Sequence, residues 1–252
     1  MVIDKEVLHA RAPERSAEGE CKLCMTEGLA MAWFVRFFLK PFSKKYSRLI
    51  LRLGLVHEMD RNAIPPFDMQ LRYAPTNDGD ARSLRLGTFH FTYFASTEYV
   101  AERGMPKSHN DLSKHLLADV MATLTSASGL LATYSNLEAV GHPALCTNSG
   151  HVVAGAVSAG SVIGLLPSYA FLTAPNLVPV LPDYHLDLGI YLNFVDGVEK
   201  RPSGRVMIEY LRDTVFSQSA MPWFADEYEC PVEDWRARMD SLVQEALKGQ
   251  TV

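Results

Sequence analysis

The sequence has no apolar run long enough to cross a bilayer, no cluster of basic residues, no dense cysteine framework and no catalytic signature. Each absence removes a class of function. A membrane-spanning helix needs ~20 consecutive apolar residues. The longest apolar stretch, residues 152–166, is interrupted by Ser158, Gly160 and Ser161 and reads as buried helix and strand. Lys and Arg number 24 against 29 Asp and Glu, a net charge of −5, so the chain carries no electrostatic footprint for nucleic acid. The opening MVIDKEVLHARAPERSAEGE is charged throughout and lacks the apolar core of a secretory signal. A cytoplasmic location and no membrane are therefore expected. G-x-G-x-x-G, the P-loop, H-E-x-x-H and H-x-H are all missing, and Ser149 stands in N-S-G-H, which does not meet G-x-S-x-G. No enzyme, resident cofactor or metal is expected.

Cysteine is scarce as well: Cys21, Cys24, Cys146 and Cys230 are the four, and a reducing cytosol keeps them as thiols. Cys21 and Cys24 form a C-x-x-C without a second pair or neighbouring histidines to complete a tetrahedral zinc site. The pair falls in a strand-like run, where side chains three apart point to opposite faces.

What the chain does have is apolar patterning. With 252 residues, 48% of them hydrophobic, it can build one large domain or two small ones. A short strand ends at Met25 and turns at Thr26-Glu27-Gly28 into a helix in which Phe34, Phe38, Phe42 and Tyr46 recur every fourth position. That spacing puts one aromatic stripe on one face. Pro41 is expected to kink or split this helix near Leu39. Strands follow at 48–56, 67–73 and 86–96, helices at 97–104 and 110–115, and a strand at 116–124. Weaker strand and loop signals fill 125–143.

From Ala144 the chain reads ALCTNSGHVVAGAVSAGSVIGLLPSYAFLTAPNLVPVLPDYHLDLGIYLNF and closes on RVMIEYLRDTVF. The order is polar turn, small-residue helix, buried strand, short helix, strand, long apolar strand and amphipathic helix with Val206, Met207, Tyr210, Leu211 and Thr214 on one face. Strands alternating with helices fit parallel βαβ units. Trp223 and Phe224 are expected to pin the segment before a terminal helix at 234–249.

Taken in register over residues 19–230, several segments resemble the effector-binding (substrate-binding) domain of LysR-type transcriptional regulators. They are ECKLCMTEGLAMAWFVRFFLKPFSKKYSRLILRLGL, FDMQLRYAP, LRLGTFHFTYFASTEYVAERGMPKSHNDLSKH, GSVIGLLPSYA and LVPVLP. The resemblance implies an α/β fold of two Rossmann-like subdomains joined by two crossover strands, like a type II periplasmic binding protein. It divides the chain into a leader or linker remnant at 1–18, subdomain I at 19–95 and 196–230, subdomain II at 96–195 and a C-terminal helix at 231–252. The crossovers are expected at 91–96 and 189–196. The family's winged helix-turn-helix has no counterpart in these residues, so DNA would be reached only through such a domain elsewhere.

The resemblance also implies a small-molecule effector, an organic acid or aromatic metabolite, held in the cleft between subdomains, where open α/β sheets bind ligands. On the first lobe it selects Thr26, Glu27 and Gly28 at the strand-to-helix turn, and Arg72 and Tyr73 at a strand end. At the first crossover it selects Ser96 and Thr97. The second lobe adds Thr147, Asn148 and Ser149, and the return crossover Phe194 and Asp196. A hydroxyl with free N–H groups at a helix N-terminus suits an anion, and an ordinary N-cap explains Thr26 equally well. Glu27, aimed into the cleft, would repel an anion and favour a ligand with a donor or positive group. Arg72 can grip a carboxylate or simply end a strand in solvent. If the two polar turns face each other, the cleft lies between two helix N-termini. A homodimer or tetramer is expected, side by side and antiparallel, through the helices at 29–46 and 205–216. A solute-binding protein of the same fold and an effector domain without a DNA role remain as alternatives.

Overall fold

The computed structural model describes residues 2–3, 17–56, 67–120, 142–218, 221–228 and 230. Of the expected leader, residue 1 and residues 4–16, together with the loop containing Pro65 and Pro66, the segment 121–141 and the C-terminal helix, lie outside these residues.

The strands join in one ten-stranded sheet, with the path β3-β2-β4-β10-β5-β8-β6-β7 and with β1 and β9 both on β5. β1 is Val2–Ile3, β2 Gly19–Thr26, β3 Leu49–Val56, β4 Met69–Arg72, β5 Ala81–Ser96, β6 Leu116–Val120, β7 His142–Thr147, β8 Ile163–Pro167, β9 Leu177–Pro179 and β10 His185–Val195. β5, 16 residues long, makes the path continuous. Its residues 81–92 pair antiparallel with β10, while residues 91–96 pair antiparallel with β8 and β9. One strand thus serves two lobes. β10 returns alongside it, and residues 191–194 of β10 pair with β4, so the return crossover is complete before Asp196.

In the first lobe β2 runs parallel to β3 and β4, which requires a crossover connection. Helix α1, residues 27–45, supplies it between β2 and β3. The aromatic stripe is its reason to dock: Phe34, Phe38, Phe42 and Tyr46 are all buried. They meet helix α4, residues 202–215, where Tyr210 lies 5.0 Å from the Phe42 ring and donates its hydroxyl to the Phe38 carbonyl at 2.9 Å. The expected kink or split near Leu39 takes the form of a change of winding within a continuous helical run. Ala30–Leu39 winds as a π-helix and Lys40–Lys45 as an α-helix, with helical dihedrals on either side of the junction. The junction falls at Leu39 and Lys40, where the winding changes just before the proline's missing donor.

The second lobe has β6 parallel to β7 and to β8, with helix α3, Gly150–Ser158, covering them. A Cβ on Gly164 of β8 would stand 2.8 Å from both Val153 and Val157 of α3, so glycine is what lets the helix approach. Helix α2, Thr97–Arg103, follows β5 directly. β7 was not expected as a strand from 142, and β5 begins five residues earlier than its aromatic run suggests.

Cys21 and Cys24 are free and buried, Cys146 and Cys230 free and exposed. Because β2 is buried on both faces, its two thiols are each covered. Burial pushes the Cys21 thiol up to about 12 and also raises Cys24. Thiolate is the reactive form. An alkylating reagent at mildly alkaline pH should therefore modify Cys146 in the folded chain and reach Cys21 and Cys24 only in denaturant, which peptide mass mapping would read. No helix among the described residues is long and apolar enough to cross a membrane.

Candidate interlobe effector site

Two strand-to-helix turns, one from each lobe, meet across the cleft. On the first lobe, β2 ends at Thr26, whose extended backbone lets its hydroxyl accept from the Leu29 amide at 3.4 Å. The side chain is buried and occupied as an N-cap, so Thr26 organises the turn. Glu27 and Gly28 are half-buried beside it. On the second lobe, β7 ends at Thr147. Its hydroxyl accepts from the Ser149 amide at 3.2 Å, and Ser149 caps α3 by accepting from the Val152 amide at 3.2 Å.

The Ser149 hydroxyl then donates to the Glu27 carboxylate at 2.5 Å. One short hydrogen bond therefore joins the N-termini of α1 and α3, 122 residues apart in sequence. Two helix N-termini facing each other create positive potential from both sides. Glu27 supplies the negative charge that compensates it.

One ring contact also joins the lobes. Trp33 of α1 lies 4.9 Å from Tyr169 of the second lobe. Tyr73 stands edge-on to Phe89 at 5.7 Å and Phe91 at 6.3 Å. Arg72, at the end of β4, donates to Gln70 at 3.2 Å, and its charge reaches Cys24. Trp33, Tyr169 and Phe89 are fully buried, so these rings are packed core, and the polar groups at the two turns are Glu27, Thr147 and Ser149.

Not every expected residue joins them. Ser96 is fully buried and caps α2 by accepting from the Tyr99 amide at 3.1 Å. Thr97 is exposed and ties its amide to the Asn176 carbonyl at 2.8 Å. Both lie where β5 meets β9, inside the second lobe and away from the turns at 26–28 and 147–149. Phe194 is 2% exposed, in the core of the first lobe. Asp196 pairs with Arg82 at 2.5 Å. Asn148 is exposed beside Ser149. The core contact between Trp33 and Tyr169 has no local signal, because α1 shows its stripe at 34, 38, 42 and 46 while Trp33 sits one position off it.

A recess of about 440 Å³ opens elsewhere, between residues 106–110 and 180–184 of the second lobe. Its wall combines loop with the start of the 3-10 helix His109–Lys114, and His109 stacks on Tyr184 at 4.6 Å. It does not include the turns at 26–28 and 147–149. Among the described residues, the grouping with metal-ligand chemistry is His90, His185 and Asp187, on the crossover strands and not in the cleft.

The model of the LysR substrate binding domain matches residues 14–215. No curated protein matches the chain. Among solved structures, the regulatory domain of CrgA, a LysR-type transcriptional regulator from Neisseria meningitidis, aligns at 18% identity with a TM-score of 0.66, covering 79% of this chain and 99% of that one. The full-length virulence activator AphB of Vibrio cholerae aligns at 20% identity and TM-score 0.59 over 78% of this chain and 69% of that one. The effector binding domain of AmpR from Citrobacter freundii gives 15% and 0.58 over 77% and 97%. These likenesses establish the fold. With a family model spanning most of its length and two α/β lobes joined by β5 and β10, the chain belongs to the LysR substrate-binding domain family.

Proposed function

We propose that the chain is the effector-sensing module of a LysR-type transcriptional regulator, with a small metabolite taken up between the N-termini of α1 and α3. The observation that carries this reading is the hydrogen bond from Ser149 to Glu27, the polar contact that a ligand would replace. A ligand changes the balance between lobe arrangements only through different affinities for them. A molecule that offers its own donor to Glu27 and accepts from Ser149 would separate the two turns and favour a more open arrangement. Glu27 disfavours a bare anion at that point, so an organic acid would have to place its carboxylate on the Arg72 side and a hydroxyl or amine at Glu27. In a dimer or tetramer built side by side through α1 and α4, the lobe movement would pass to the neighbouring subunit. DNA reading would fall to a helix-turn-helix domain coupled to this module.

A thermal-shift screen of hydroxy acids, amino acids and aromatic acids tests the reading. At least one class should raise the melting temperature. Glu27→Gln and Thr147→Ala should each remove most of that rise while leaving the unliganded melting temperature close to wild type. No class giving a rise, or a rise unchanged in both variants, contradicts it.

A further inference from the structure

The crossover strands carry a side-chain cluster that the effector cleft does not use. His90 of β5 and Asp187 of β10 are directly opposite one another in the antiparallel register. His185 is two residues before Asp187, hence on the same face of the strand. His90 Nδ1 lies 2.6 Å from Asp187 Oδ1, and His185 Nδ1 lies 2.8 Å from the same oxygen. The other nitrogen of His90, Nε2, faces the Ala225 carbonyl at 2.7 Å. His185 stacks on Tyr228 at 4.4 Å.

The proton inventory of His90 is the informative part. A carbonyl oxygen only accepts, so Nε2 carries a hydrogen. In a neutral ring Nδ1 then holds a lone pair, and it points at a carboxylate oxygen that also only accepts. Two lone pairs at that distance repel unless a positive centre lies between them. The ring is 1% exposed, so water does not supply screening. A cation held among the three side chains would be such a centre, since the register brings all three ligand atoms together. It takes the lone pairs of both Nδ1 atoms and the carboxylate at once. A metal-bound histidine characteristically donates its remaining N–H to a backbone carbonyl or carboxylate, and His90 does so to Ala225.

We propose that His90, His185 and Asp187 form a binding site for one divalent cation of the zinc class, spanning the two crossover strands. Two imidazoles and one carboxylate are donors for zinc and its neighbours, and poor ones for magnesium or calcium. The ligand atoms all lie within 4.8 Å of one another. Tetrahedral zinc, with bonds of ~2.0–2.1 Å, places its ligands ~3.3 Å apart. From the present 2.6 and 2.8 Å, reaching that geometry asks the carboxylate to retreat by roughly 0.5–0.7 Å. Asp187 and His185 have the freedom to adjust, with side chains 43% and 32% exposed, while His90 is the fixed post. The bound ion would hold β5 to β10 beside the segment 221–228, at the place where the lobes are joined.

The chain, first treated with chelator, is titrated with Zn²⁺ by calorimetry and followed by melting temperature, with Mg²⁺ as control cation. One Zn²⁺ should bind per chain and raise the melting temperature, and Mg²⁺ should do neither. His185→Ala and Asp187→Asn should each weaken Zn²⁺ binding by about tenfold or more, in line with the cost of disturbing metal-site ligation. His151→Ala, an exposed histidine on α3, should bind as wild type. The zinc-induced rise separates the site from a plain ion pair: a variant that only lost the ion pair would have a lower melting temperature but an unchanged rise. Failure to bind Zn²⁺, or equal affinity in His185→Ala, Asp187→Asn and wild type, overturns the proposal and leaves His90 hydrogen-bonded to Asp187.

Discussion

Truncating Trp33 to alanine is expected to cost ~3–5 kcal/mol of folding stability, the range for emptying a large buried aromatic site. Trp33 is fully buried and touches rings from three parts of the chain. They are Phe37 and Phe38 within α1 at 5.4 and 5.3 Å, Tyr169 of the second lobe at 4.9 Å, and Trp223 and Phe224 at 5.6 and 5.0 Å. Its indole N–H also donates to the Val215 carbonyl at 3.1 Å, so alanine both opens a cavity and orphans a buried acceptor. Trp33→Phe keeps most of the volume and loses the N–H, and should cost well under half as much. Urea unfolding of the two variants reads the difference. Equal midpoints for Trp33→Ala and wild type would mean that the aromatic junction between lobes does not form.

Gly87→Ala is the second large effect. An added Cβ would lie 2.4 Å from the Phe224 carbonyl oxygen and 3.2 Å from the Phe224 Cβ. The closest atom is backbone, so no side-chain rotation relieves the clash. Either β5 bends or residues 221–228 lift away. These residues are held by the buried Trp223 and Phe224 and by Asp226, which accepts from Arg85 at 2.7 Å and Thr88 at 2.8 Å. Overpacking of this kind costs ~1–3 kcal/mol, and the displaced segment should become a site of early proteolytic cleavage. Gly79, where a Cβ meets nothing within 4 Å, is the control: Gly79→Ala should leave both midpoint and cleavage unchanged. Matching behaviour of the two alanine variants would contradict the packing of 221–228 on the crossover.

Much of the first lobe was legible because each of its elements declares itself locally. The stripe at Phe34, Phe38, Phe42 and Tyr46 fixes both the helix and its buried face, and Leu23 to Met25 reads as strand. The opposition of Glu27 and Ser149 was legible only as a pair of polar turns. Which atoms meet depends on how two lobes close, and no local pattern encodes that. Phe194 shows a different limit. Along β10, Leu186, Leu188, Ile190, Leu192 and Phe194 are all buried, a period-2 alternation visible in HLDLGIYLNFV. The alternation places Phe194 on the core face. Ser96 is similar: a serine at a strand end before T-E-Y is first a helix cap. The cluster at His90 has a faint sequence trace, the H-x-D of His185 and Asp187, but its third member is 95 residues earlier in number than His185. Only the register of β5 against β10 brings it alongside.

The central claim is that the effector enters between the N-termini of α1 and α3 and changes their separation. Nitroxide labels at Met31→Cys and Val152→Cys, on exposed positions of the two helices, in a background with Cys146 and Cys230 replaced by serine, report that separation directly. With a ligand that raises the melting temperature, the interlabel distance distribution should shift to a distinct second population, and Glu27→Gln should suppress the shift. A distribution identical with and without that ligand would contradict the account.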